Sequence, residues 1–126
     1  MQFRSPLGKV RGLGSAKDGT HHWWMQRLTA IALVPLVVWF VVGVIALVGR
    51  DHAAFKAWVG DPISATLLVI LIAAVFHHAQ LGLQVVFEDY VRSEGLKLAC
   101  VIVVKGLALV LAGIGIISVL RIAFGG

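Results

Sequence analysis

The sequence predicts an all-α membrane protein with three transmembrane helices, its N-terminus in the cytoplasm and its C-terminus on the opposite side. Of its 126 residues, 60% are hydrophobic and 13% are charged. This is too little polar surface to cover a soluble domain of this size. The charged residues are also clustered, and the apolar runs between the clusters are long enough to cross a hydrocarbon core of about 30 Å, which takes roughly 20 helical residues.

The chain is interpreted as a single membrane domain, residues 1–126, that opens with a basic arm, residues 1–21. The first 20 residues contain no apolar run, so a signal peptide is not expected. The three spans are predicted at about residues 23–48, 63–87 and 96–120. Pro62 suits the first turn of the second span, because a helix needs no backbone N–H at that position.

Lysine and arginine residues predict the orientation, because cytoplasmic loops of membrane proteins are enriched in both. Seven of them belong to the N-terminal side and to the second loop on that same side: Arg4, Lys9, Arg11, Lys17, Arg27, Arg92 and Lys97. Three belong to the opposite side: Arg50, Lys56 and Arg121. The N-terminus is therefore expected in the cytoplasm.

His78 is the residue of the second span that most needs an explanation. If the span ends near Phe87 at the cytoplasmic surface, His78 is nine residues deeper. At roughly 1.5 Å per residue this is about 13 Å, close to the bilayer midplane. An imidazole at that depth is costly unless it forms a hydrogen bond or ligates something. Two interpretations stay open: a histidine bonded to a carbonyl of a neighbouring helix, and a ligand of a metal ion or a haem iron.

Gly82 shares a helical face with His78, about 40° away at roughly 100° per residue. A glycine one turn from a ligating histidine leaves room for a flat macrocycle, although small residues also serve contacts between membrane helices. His77 faces about 100° away from His78, so one rigid helix cannot direct both at the same iron. We prefer His78 as the haem ligand and keep His77 as the fallback.

A haem iron with two histidine ligands would need a second histidine at the same depth. Apart from His77, the other histidines are His21 and His22, which precede the first span, and His52, which lies in the opposite loop. None of these three reaches the midplane. A second histidine ligand would therefore have to come from another chain.

Polar residues at the cytoplasmic ends of the first two spans are further candidates. Tyr90 can donate a hydrogen bond to a quinone carbonyl, and Asp89 beside it can pass protons when the ring is reduced. Ordinary interfacial anchoring is the alternative for this pair. At the start of the first span, Arg27 and His21 reach the membrane edge, where a guanidinium suits a haem propionate. The alternative for Arg27 is a topology signal with a snorkelling side chain.

Two motifs resemble those of a known family. The first opens the first span with Gly19, His21, Arg27, Thr29, Ala30 and Ile31. The second ends the second span with His78, Gly82, Gln84, Asp89, Tyr90 and Val91. In this order within three spans, they resemble the hydrophobic membrane-anchor (D-type) subunit of succinate dehydrogenase. The opening stretch RSPLGKVRGLGSAKDGTHHWW is similar to the proteobacterial version.

The resemblance implies a role for each candidate residue. His78 would be an axial ligand of a haem b that is shared with a companion cytochrome b subunit, which supplies the other ligand. Tyr90 would form a hydrogen bond with the substrate ubiquinone, and Asp89 would lie beside that site. Arg27 and His21 would belong to the haem-propionate neighbourhood. No residue of the chain is expected to be catalytic by itself, and the chain alone is expected to be inactive.

The resemblance also implies partners and a location. The chain would anchor a flavoprotein subunit and an iron–sulfur subunit, so that electrons from succinate oxidation in the tricarboxylic acid cycle reach ubiquinone. We expect contact with membrane lipid and no nucleic-acid partner. The expected location is the bacterial inner membrane, as a multi-pass protein, in preference to the mitochondrial inner membrane.

Other functions are also compatible with these residues. An anchor of a fumarate reductase or of another b-type cytochrome would look similar. In a transporter accessory subunit, His77, His78 and Asp89 would relay protons. In a purely structural assembly factor, the histidines would serve packing alone.

Overall fold

The structure, a computed structural model, describes residue 6 and residues 17–125, with the side chains of residues 17–19 excepted. Residues 17–125 form four α-helices and no strand. We name them α1 (Lys17–Leu47), α2 (His52–Gly60), α3 (Pro62–Tyr90) and α4 (Glu94–Ala123).

The three long helices α1, α3 and α4 are each long and apolar enough to cross a membrane. The predicted fold class, all-α with three candidate spans, is therefore confirmed. α3 packs against both α1 and α4 and is the central helix of the bundle. The orientation of the termini relative to the membrane stays a prediction.

α1 begins earlier than the apolar run that predicted it. Residues 17–21, which we assigned to the basic arm, belong to this helix. The expected boundary followed the hydrophobic run, whereas backbone hydrogen bonds continue into polar residues that lie outside it. The rest of the arm, except residue 6, lies outside the described residues.

The short helix α2 lies where the sequence predicted only a loop. Asp51 caps its start, and Oδ1 of this residue accepts a hydrogen bond of 2.9 Å from the backbone N–H of Ala54. The indole of Trp58 on α2 stacks on that of Trp39 on α1, with ring centroids 5.4 Å apart. This aromatic pair joins the connecting segment to the first spanning helix.

Asp61 separates α2 from α3 and serves both. Its backbone N–H donates to the carbonyl of Ala57 at the end of α2. Its carboxylate Oδ2 accepts a bond of 3.1 Å from the N–H of Ser64 at the start of α3. Pro62 occupies the first turn of α3, as predicted.

The packed core lies toward the α2 end of the bundle. Its buried members are Val59, Ala65, Leu68, Leu71 and Val119. Gly115 of α4 approaches Ile72 of α3 so closely that a Cβ on the glycine would lie 3.3 Å from the isoleucine side chain. At the other end, α3 and α4 are joined by residues 91–93, and the Ser93 hydroxyl caps α4 by accepting from the N–H of Leu96.

Candidate functional site

His78 forms a hydrogen bond across the interface between α1 and α3. Its Nδ1 lies 3.1 Å from Oγ1 of Thr29 on α1. The same hydroxyl lies 2.7 Å from the carbonyl oxygen of Met25 and 3.0 Å from that of Gln26. The hydrogen-bond interpretation of His78 is therefore supported for one ring nitrogen, but the partner is a side-chain hydroxyl rather than a carbonyl.

A groove of about 520 Å³ opens between α1 and α3 beside His78. It is lined by His22, Trp23, Gln26, Arg27 and Ala30 from α1, and by His78 and Val85 from α3. The α1 residues recur at intervals of three to four positions, so they share one face of that helix, the face that lies toward α3. The groove thus brings two predicted site residues, His78 and Arg27, to one cavity.

Two polar atoms at this groove lack a hydrogen-bond partner among the described residues. They are Nε2 of His22 and Oε1 of Gln26, and both are buried. Leaving such atoms unpaired costs about 1–3 kcal/mol each. Unpaired polar atoms beside an open groove are the arrangement expected where a ligand or a partner chain supplies the missing hydrogen bonds.

Arg27 is exposed, and its guanidinium lies over the ring of Trp23, with Cζ 4.4 Å from the ring centroid. The one ion pair among the described side chains joins Lys97 to Glu94. Within that part of the chain Arg27 therefore has no carboxylate partner. Its position is held by the indole, which leaves the guanidinium hydrogens available to an anion.

Gly82 lies one turn after His78 on α3. A Cβ placed on it would have one neighbouring atom within 4 Å, Nε2 of Gln26, at 3.8 Å. This is an ordinary van der Waals distance, so helix packing among the described residues does not require a glycine at this position.

The two adjacent histidines serve different cavities. His77 is exposed and lines a second cavity, of about 390 Å³, between α3 and α4. Gln80 and Lys105 contribute the other polar side chains of its lining. The predicted separation of His77 from His78 is therefore borne out geometrically, while the choice of ligand between them stays a prediction.

The remaining predicted site residues lie away from the groove lining. Asp89 and Tyr90 end α3, and Tyr90 is 81% exposed. Among the described residues the Tyr90 hydroxyl has no hydrogen-bond partner. His21 is exposed, whereas its neighbour His22 lines the groove. The structure therefore brings together His78 and Arg27, but it does not bring Tyr90, Asp89 or His21 into the same cavity.

No cluster of three or more His, Cys, Asp or Glu side chains suited to a metal ion occurs within residues 20–125, whose side chains the structure describes. A bare metal site built by this part of the chain is therefore not observed. One histidine ligand to a larger cofactor remains compatible with this result.

Comparison with known proteins gives the family. A family model described as succinate dehydrogenase/fumarate reductase transmembrane subunit matches residues 1–114. The chain belongs to this family. The resemblance stated from the two motifs is thereby confirmed.

Individual relatives carry a matching description. The succinate dehydrogenase hydrophobic membrane anchor subunit of Rickettsia bellii is 38% identical over 103 residues, which cover 82% of each chain. The corresponding subunit of Rickettsia conorii is 33% identical over 104 residues, again 82% of each chain. That of Paracoccus denitrificans is 29% identical over 115 residues, 90% of this chain and 89% of the relative. No solved structure matches the chain.

The structure also shows polar residues near the groove that had no predicted role. Thr29 belongs to the first motif but has no predicted role, and Gln26 is not a motif residue. A chain of hydrogen bonds also runs along α3, from Gln80 Nε2 to Gln84 Oε1 and from Gln84 Nε2 to Glu88 Oε1, each 3.1 Å. The spacing of four residues is the signal that could have revealed this chain.

Proposed function

We propose that the chain is a membrane-anchor subunit of succinate dehydrogenase, which transfers electrons from succinate to ubiquinone in the bacterial inner membrane. In this proposal His78 is an axial ligand of a haem b shared with a cytochrome b subunit. Tyr90 and Asp89 contribute to the ubiquinone site. A flavoprotein subunit and an iron–sulfur subunit bind on the cytoplasmic side and carry out succinate oxidation.

One observation carries the haem part of the proposal: His78 and Arg27 line the same groove between α1 and α3. A haem presents an iron that takes imidazole nitrogen and propionates that take a guanidinium, and the groove offers one of each. Since Arg27 has no carboxylate partner among the described side chains, the bidentate pairing with a propionate is open to it.

Further features of the groove fit the same group. Gly82 has no side chain, so it leaves space beside α3 one turn after His78. Packing among the described residues does not demand a glycine there. The unpaired Nε2 of His22 and Oε1 of Gln26 are polar groups in need of partners. His22 is thus a better placed candidate than His21 for the propionate neighbourhood, since His22 lines the groove.

A bound haem b would supply a one-electron redox centre within the membrane. The residues of this chain would hold it from one side: His78 through a ring nitrogen and Arg27 through its guanidinium. The other histidines do not share this position. His22 lines the groove, but it precedes Thr29, the α1 partner of His78, by seven residues, roughly 10 Å along the helix axis. His21 is exposed one residue earlier still, and His52 begins α2. The second axial ligand is therefore assigned to the cytochrome b subunit.

The quinone part of the proposal rests on Tyr90. Its exposed hydroxyl, without a partner among the described residues, is free to donate a hydrogen bond to a quinone carbonyl. Reduction of a quinone to a quinol takes up two electrons and two protons. The Asp89 carboxyl group, next to Tyr90 at the membrane edge, can hold a proton for transfer to the quinone oxygen and be recharged from water.

The test is a reduced-minus-oxidised absorption spectrum of the complex purified with its native partners. We expect a b-type spectrum from the wild type and from His77→Ala, and loss of that spectrum from His78→Ala. His77→Ala is the matched control, because it removes an adjacent imidazole that lines the other cavity. Co-purification of the partner subunits shows that each variant has assembled.

Three outcomes would change the proposal. Absence of a b-type spectrum from the wild type would overturn the haem assignment. Loss of the spectrum from His77→Ala, with retention in His78→Ala, would move the ligand by one residue. If His78→Ala fails to assemble, His78→Met is used in its place, because a thioether can ligate haem iron. An unchanged spectrum from that variant would overturn His78 as ligand.

A further inference from the structure

The hydroxyl of Thr29 has three possible partners but a single hydrogen. Its Oγ1 lies 2.7 Å from the Met25 carbonyl oxygen, 3.0 Å from the Gln26 carbonyl oxygen and 3.1 Å from Nδ1 of His78. Both carbonyl oxygens can only accept a hydrogen bond. The imidazole nitrogen can do either, depending on its tautomer.

The distances decide which way the hydrogen points. Two oxygens 2.7 Å apart attract each other when a hydrogen lies between them, and repel each other when only lone pairs face each other. The Thr29 hydroxyl therefore donates back to the carbonyl of Met25 within α1, a bond that threonine commonly makes in membrane helices. Its lone pairs are then left to accept from His78.

It follows that Nδ1 of His78 carries the hydrogen and donates it to Thr29 Oγ1. In a neutral imidazole the other nitrogen, Nε2, then keeps its lone pair. A ligating histidine in proteins is typically fixed in this way, by a hydrogen bond from the nitrogen that does not bind the metal.

We propose that Thr29 is a positioning residue for His78: it fixes the Nδ1–H tautomer and the ring orientation, which leaves Nε2 with a free lone pair that would be available to the haem iron. The inference rests on the proposed haem ligation and identifies the residue of α1 on which that ligation depends. Because Thr29 donates to Met25, its oxygen is polarised and becomes a stronger acceptor. An acceptor at Nδ1–H makes Nε2 a stronger electron donor, which favours the oxidised iron.

The test compares Thr29→Val with Thr29→Ser in the assembled complex. Valine has nearly the shape of threonine without the hydroxyl, whereas serine keeps the hydroxyl. We expect Thr29→Val to weaken haem retention by about 10–100-fold, the usual effect of losing such a partner, and to raise the midpoint potential of the b-type haem. Thr29→Ser should restore both toward the wild-type values.

Thr66→Val is the matched control. Thr66 on α3 also donates to the carbonyl four residues earlier, Pro62 O at 2.8 Å, but none of its hydrogen bonds reaches a histidine. This variant should leave haem retention and midpoint potential unchanged. A Thr29→Val complex that does not assemble is replaced by Thr29→Ala, which removes the same hydroxyl and leaves space at the interface.

The outcomes separate this inference from the proposed function. If the wild type contains haem and Thr29→Val retains it with the same midpoint potential, the inference is overturned and the haem assignment stands. If Thr29→Ser behaves like Thr29→Val, the hydroxyl is not the operative group and the inference is likewise overturned. If the wild type contains no b-type haem, the haem assignment of the proposed function fails, and the inference fails with it.

Discussion

The indole of Trp58 covers Gly43 so closely that a Cβ on this glycine would lie 2.5 Å from the ring carbon Cζ2. The Trp58 ring also stacks on the ring of Trp39, which holds it in place. The ring cannot move aside without breaking that stack. The absence of a side chain at Gly43 therefore lets α2 lie against α1.

Gly43→Ala is expected to destabilise the chain. The new methyl group would push against a rigid indole, and overpacking of this kind costs about 1–3 kcal/mol. The gain in helix propensity from glycine to alanine, about 1 kcal/mol, offsets part of this cost. Thermal unfolding of the detergent-solubilised complex measures the difference.

Gly106→Ala is the control for that measurement. Gly106 lies in α4, and a Cβ there would meet nothing within 4 Å. The control should be neutral or slightly stabilising. Equal stability of the two variants would contradict the packing explanation.

Arg27→Lys is expected to reduce haem retention by about tenfold or more. Lysine keeps the positive charge but loses the fork that binds a carboxylate bidentately, and hydrogen bonds to charged groups contribute roughly 1.5–3 kcal/mol. The haem-to-protein ratio after repeated detergent washing measures the effect. Arg92→Lys makes the same exchange in the connection between α3 and α4 and should have no effect; equal losses from both variants would count against the propionate role of Arg27.

Tyr90→Phe is expected to slow quinone reduction by about tenfold, since a lost hydrogen bond of about 1–1.5 kcal/mol corresponds to roughly that factor. Succinate oxidation with an artificial dye as acceptor should be unchanged in the same preparation, because the dye bypasses the quinone site. Steady-state rates with ubiquinone and with the dye give the comparison. Wild-type rates with ubiquinone would exclude Tyr90 from the quinone site.

Asp61→Ala is expected to destabilise the fold by about 1 kcal/mol, the usual effect of removing a helix N-cap. Its carboxylate satisfies the N–H of Ser64, a buried residue at the start of α3. Asp51→Ala removes the equivalent cap from the short helix α2. The hydrogen bond to the N–H of Ala54 is exposed there, so its loss should lower the free energy of unfolding by less. Denaturant unfolding of both variants ranks them, and the reverse order would refute this explanation.

The spanning helices could be predicted because each is a long apolar run between charged clusters. The separate faces of His77 and His78 could also be predicted, since helical periodicity alone sets that angle. The short helix α2 could not. Nine residues carry too weak a periodic signal, and α2 is held by the stacking of Trp58 on Trp39, which depends on tertiary contact.

The hydrogen-bond partner of His78 could not be predicted from the sequence either, because it too depends on tertiary contact. Thr29 and His78 are 49 positions apart, and their contact depends on the register of α1 against α3. A hydropathy pattern gives the faces of two helices but not how far one is shifted along the other. The depth argument required some partner for the imidazole, and only the structure identifies the hydroxyl.

The packed core and the groove occupy opposite ends of α3. The buried residues Ala65, Leu68 and Leu71 lie in its first half, whereas His78 and Val85 of the groove lie in its second. Loading of a cofactor therefore does not have to open the core. A haem bound as proposed would pair polar atoms that lie outside the core, and its binding would stabilise the folded chain by mass action.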